Sequence, residues 1–137
     1  MKEDGIAEYE KALEICERML AFEMNLLQKS NIYRKMGDIY LEIFKQDQNL
    51  QSCEVAIQAY QKALSVYTLD SHPHLRARVL RSLGNAYAAR SDLLDRAEGL
   101  HQAINSWEES LTVFSRASYP LDYASLQDEL SAAYRKL

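Results

Sequence analysis

The sequence predicts an all-α protein, a solenoid of antiparallel helix hairpins with about six helices in a single domain spanning 1–137. Three observations predict it. Strong helix formers (Ala, Leu, Glu, Gln, Lys, Arg) abound, whereas there are 4 Gly and 2 Pro in 137 residues. No stretch alternates apolar and polar residues with enough β-branched side chains to suggest strands. A long segment also recurs. Ala56–Arg90 lies over Ala103–Leu137 without a gap, at an offset of 47 residues, within the range of helical arrays.

The matched positions are the ones a shared packing scheme would keep. Tyr60 meets Trp107, Leu64 meets Leu111, and Tyr67 meets Phe114. Pro73 meets Pro120, Ala77 meets Ala124, Leu83 meets Leu130, and Tyr87 meets Tyr134. A weaker copy lies upstream: KMGDIY from Lys35 aligns with SLGNAY from Ser82 at the same offset.

Taken in order, the first helix covers 4–20, where Ile6–Ile15 resembles Ile57–Val66. A second covers 24–46, after a break near residue 22 that has no Gly or Pro to mark it. The third, 51–68, sets Ile57, Tyr60, Ala63, Leu64 and Tyr67 on one stripe at spacings of three and four. Ser71-His72-Pro73 ends it, because proline lacks the amide hydrogen and suits the first turn of a following helix. The fourth, 73–90, carries Val79, Leu80, Leu83, Ala86 and Tyr87. A turn follows, with Ser91-Asp92 as its expected cap. The fifth covers 95–116 and the sixth 120–137, opened by Pro120. The repeat units are thus roughly 4–46, 51–90 and 95–137.

Composition bounds the function. Charged residues are 26% and apolar ones 47%, the balance of a folded, soluble chain. No apolar run approaches the roughly 18 residues that cross a bilayer, and residues 1–15 lack the pattern of a signal peptide. A cytoplasmic location and no membrane partner are expected. A net charge of -4 argues against general nucleic-acid binding. Cys16 and Cys53 are too few for a disulfide framework or a zinc cluster and read as small apolar residues. No nucleophile motif and no glycine-rich phosphate loop is present, so no enzyme, cofactor or metal is expected. His72 and His74 flank Pro73 in an inter-helix turn, and His101 stands alone.

These residues resemble the tetratricopeptide repeat, over nearly the whole chain. In that family one helix carries Leu-Gly-x-x-Tyr, matched here by Leu83, Gly84 and Tyr87, and by Met36, Gly37 and Tyr40. The next helix carries Ala, an aromatic and Ala, matched by Ala56, Tyr60 and Ala63, and by Ala103, Trp107 and Ser110. Leu130, Ser131 and Tyr134 form a degenerate third copy. The implied packing nests Gly37, Gly84, Ala63 and Ser110 where backbones approach. Tyr40, Tyr60, Tyr87, Trp107 and Tyr134 then fill the facing space. The period of 47 residues exceeds the family's usual 34 or so. It is similar to long-repeat variants with a Tyr-Pro-x-x-Tyr-Ala element, here Tyr119–Ala124. The chain begins with a second-type helix and ends with a first-type helix. A complete small array and a piece of a longer one both fit.

The resemblance implies a scaffold that binds a peptide or protein segment along its first-type helices. The implied contact residues are Asn31, Arg34, Lys35 and Asp38 on the first such helix. On the second they are Arg78, Arg81, Ser82 and Asn85, and on the third Ser125, Asp128 and Glu129. Arg76, Arg78 and Arg81 crowd one stretch, and guanidinium forks suit carboxylates. Three readings are open for them: an acidic or mixed-charge peptide, a clamp on a terminal carboxylate, or local ion pairs on a solvated face. Arg81 and Asn85 match two clamp positions, but Glu129 stands where an amide is expected and would repel a carboxylate. The alternative function is self-assembly, with polar end helices acting as caps.

Overall fold

A computed structural model of the chain describes residues 2–22 and 24–137, with side chains from Gly5 onward. Among the described residues there are six α-helices and no strand: α1 Lys2–Leu20, α2 Leu26–Asp47, α3 Leu50–Leu64, α4 Pro73–Ser91, α5 Arg96–Leu111 and α6 Pro120–Lys136. The helices form two compact units, Met1–Val66 and Tyr67–Leu137. In the first, α2 packs against both α1 and α3; in the second, α5 packs against both α4 and α6.

The same contact centres both units. A Cβ built on Gly37 would lie 2.6 Å from a Tyr60 ring carbon, and one on Gly84 would lie 2.5 Å from Trp107 Nε1. Each glycine lets the facing helix press its largest ring onto bare backbone. Both rings are buried, which contributes roughly 3 kcal/mol apiece. Small residues repeat beside them. Ser110 Oγ donates to the Ala77 carbonyl at 2.8 Å. The matched pair in the first unit is Ser30 and Ala63, both buried, with the serine on the opposite helix. The core of the second unit adds Leu100, Ile104, Phe114, Leu126 and Leu130.

The two proline turns are near copies. His72 (φ −143°, ψ 66°) precedes Pro73, and Tyr119 (φ −137°, ψ 66°) precedes Pro120. The His72 amide bonds the Thr68 carbonyl at 2.9 Å, as the Tyr119 amide bonds that of Ser115 at 2.8 Å. A ring pair braces each turn: Tyr67 with His72 at 5.8 Å, and Phe114 with Tyr119 at 5.2 Å.

Several boundaries differ from expectation. α3 and α5 stop at Leu64 and Leu111 rather than near 68 and 116. The Ser65 hydroxyl turns back onto the Lys62 carbonyl at 2.6 Å, and Thr112 onto Glu109 at 2.7 Å. Such local bonds compete with the helical ladder. Tyr67 and Phe114 remain buried, delivered by a turn instead of a helix. The cap of α5 is Asp95, which accepts from the Glu98 amide, and not Ser91-Asp92. Ser91 is the buried end of α4, pressed against Gly99. The unmarked break before α2 falls beside Glu23, which lies outside the described residues. Its far side is set by a capping box between Asn25 and Gln28. Tyr134 does not pack inward as expected. It is exposed, and its hydroxyl donates to Glu108 at 3.0 Å.

Candidate functional site

In the second unit, α4 and α6 present a shared charged surface. Arg76, Arg78 and Arg81 do not act together. Arg76 turns toward α5, donating to the Tyr67 carbonyl at 3.1 Å and lying 3.6 Å from Glu109. Arg78 is exposed, and among the described residues no acid lies within ion-pair distance of it. Arg81 reaches α6, where it meets Asp122 at 3.1 Å and Glu129 at 3.6 Å. Asp122 and Glu129 are seven residues apart, about two helical turns, so they share one face. Ser125 lies between them on that face, half-buried, whereas Asp128 points elsewhere and is exposed.

Asn85, one turn beyond Arg81, is held from behind. The Trp107 indole donates both to Asn85 Oδ1 and to the Arg81 carbonyl, each at 3.2 Å. The first unit repeats this device. The Tyr60 hydroxyl donates to Asp38 Oδ1 at 2.6 Å, and Asp38 is the residue 47 positions before Asn85. A core ring thus orients one polar side chain on α2 and one on α4. On α2, Asn31 and Arg34 are half-buried and Lys35 is exposed. Lys35 lies near enough to Cys16 to oppose the rise that burial gives its thiol pKa. Arg34 Nε is buried without an acceptor among the described residues.

The electrostatics of the α4–α6 surface favour neither free anion nor free cation binding at Arg81. One guanidinium faces two carboxylates. Burial pushes the Glu129 carboxyl above its usual range, and Arg81 pulls it back only in part. One oxygen, Oε2, is buried with no hydrogen-bond partner among the described residues. Asp122 is the partner of Arg81 that reading the sequence missed. Its signal was the two-turn spacing from Glu129 on a helix expected to face Arg81.

Other chemistry is weak in geometry. Ser71 Oγ lies 3.0 Å from His72 Nδ1, yet the same oxygen accepts the Thr68 amide at 3.2 Å and shares a proton with Thr68 Oγ1. It is a turn bond, not a poised nucleophile. His74 packs on Phe114 and Tyr119 at 5.2 and 5.3 Å, while His72 packs on Tyr67. Among the described residues no group of three or more His, Cys, Asp or Glu could hold a metal ion. Both cysteines are buried, and neither is in a disulfide. A crevice of about 520 Å³ opens between α4 and α5, with Leu69, Pro73, Leu80 and Val113 in its wall and Arg76–Glu109 at its lip. Among the described residues no helix is long and apolar enough to cross a membrane. No protein-family model, curated protein or solved structure matches the chain.

Proposed function

We propose that this chain is a tetratricopeptide-like repeat scaffold that binds another polypeptide along its first-type helices and catalyses no reaction. The observation that carries the reading is the repeated nesting of a ring on a glycine, with the ring's polar atom orienting Asp38 in one unit and Asn85 in the other. A fold that needed only stability would gain little from fixing exposed-side polar groups at the same register twice. Side chains held in one rotamer lose less entropy when a partner arrives. On α4 the partner's acidic group meets Arg78, because Arg81 is already matched by Asp122 and Glu129.

The test is affinity capture of partners from native lysate with wild type, Arg78→Glu and Asn85→Ala chains. Both variants should fold normally and recover much less of the shared partner. Equal recovery by all three removes the site. Metal, nucleotide and nucleic acid enter only as controls, in which no binding is expected.

A further inference from the structure

We propose that α1 is a self-association surface on which a second copy of this chain docks, α1 against α1, in antiparallel order about a two-fold axis. This stands apart from the polypeptide-binding reading, which concerns α2, α4 and α6.

The inner face of α1 is its Leu13 and Cys16 side, and both residues are buried. A second stripe faces solvent. Ile15 and Met19 lie one turn apart on α1, Phe22 follows two residues past its end, and they are 57%, 42% and 71% exposed. Leu26, the first residue of α2, is 69% exposed. Other exposed large apolar residues among those described stand singly or as a neighbouring pair, such as Leu93 and Leu94. Exposed apolar residues grouped on one side of a helix and rimmed by charge are what folded chains cover with another surface.

The rim chooses the occupant. Glu14 and Arg18 flank the stripe and pair with each other at 2.8 Å. Glu8 and Lys11 continue the same face toward the N-terminus. With a two-fold axis between Cys16 and Glu17, Ile15 of one copy meets Met19 of the other. Glu14 comes beside the second copy's Arg18, and Phe22 lies over the stem of the second copy's Lys11. Glu14 and Arg18 thus each meet an opposite charge, and the symmetry makes every contact twice. Parallel pairing would turn the Glu14–Arg18 flank of one copy toward the opposite flank of the other, where Ala12 lies, and would form no such pairs. Docking of α1 onto another copy's α6 is also disfavoured. Where α4 buries Leu80 and Gly84 against α5, α6 has Gln127 and Ser131 at the matched positions. Exposed ion pairs add little energy, so here they set register while the apolar stripe supplies attraction.

Sedimentation equilibrium of the full chain, under reducing conditions and from about 1 to about 500 µM, tests this. A reversible monomer–dimer equilibrium is expected. Ile15→Glu should raise the dimer dissociation constant at least about tenfold without changing the helical circular dichroism, since the residue is exposed. Glu14→Arg should weaken the dimer, and adding Arg18→Glu should restore it. Arg78→Glu should leave it unchanged, which separates this result from the partner-binding test. A monomer at every concentration, a dimer indifferent to Ile15→Glu, a charge swap that fails to restore it, or growth beyond two copies would each overturn the proposal.

Discussion

The indole of Trp107 occupies the space a side chain on Gly84 would need, with the glycine's virtual Cβ only 2.5 Å from Nε1. Alanine is the better helix former by about 1 kcal/mol, so local propensity alone says Gly84→Ala stabilises. The packing says otherwise. Overpacking of this kind costs about 1–3 kcal/mol, and the ring is buried with no flexible tip to move aside. Gly84→Ala and Gly37→Ala should both lower stability in urea melts. Gly5→Ala is the contrast, because its virtual Cβ meets only the amide end of Gln46 at 3.1 Å. It should be neutral or stabilising by up to about 1 kcal/mol.

Removing the rings should cost more. Tyr60→Ala or Trp107→Ala leaves a large core void and should cost about 3–5 kcal/mol. Tyr60→Phe keeps the ring and loses the hydroxyl that bonds Asp38, so about 1 kcal/mol is expected. A chemical-denaturation series that ranked Tyr60→Phe with Tyr60→Ala would mean that the hydroxyl, and not the nesting, holds α2 to α3.

Arg78 and Arg81 should separate in stability measurements as they do in geometry. Arg78→Ala should lie within about 0.5 kcal/mol of wild type, as exposed changes do. Arg81→Ala removes the counter-charge from a partly buried Glu129 and should cost about 1–2 kcal/mol. Equal melting temperatures for the two variants would show that the α4–α6 ion pairs contribute nothing.

Glu129 gives a pH signature. Its folded carboxyl binds a proton more tightly than an unfolded one, chiefly because burial penalises the charge. Stability should therefore fall as pH rises from the ordinary carboxylate range through the raised value, then level off. Glu129→Gln removes that penalty. The variant should melt at or above wild type at pH 7 and lose this advantage near pH 4. A Glu129→Gln chain less stable at pH 7 than at pH 4, relative to wild type, would mean that the ion pair with Arg81 outweighs burial.

The helical class and most helix positions were legible, because period-3.6 stripes and two proline turns are local signals. The ends of α3 and α5 were not. The stripe ran on to Tyr67 and Phe114, whose burial a turn satisfies as well as a helix does. The start of α2 was legible only in its Asn25–Gln28 capping box, because no Gly or Pro marks that break. Tyr134 was not legible, because matching Tyr87 in the repeat does not fix which side of α6 meets α5. At the site, the choice of Arg78, Arg81, Ser82 and Asn85 came from the family resemblance. That Arg81 answers to Asp122 and Glu129, 41 and 48 residues away in sequence, depends on tertiary pairing that no local pattern encodes.

The serine that joins α5 to the Ala77 carbonyl has its counterpart on the other side of the first hairpin, where Ser30 on α2 matches Ala77 and Ala63 on α3 matches Ser110. The two hairpins are therefore not interchangeable halves. A hybrid joining α2 to α5 would oppose two serines, crowding two hydroxyls into one seam. One joining α4 to α3 would oppose two alanines and lose the cross-helix bond. Each helix is matched to its own mate, and exchanging mates between the hairpins would cost that registration.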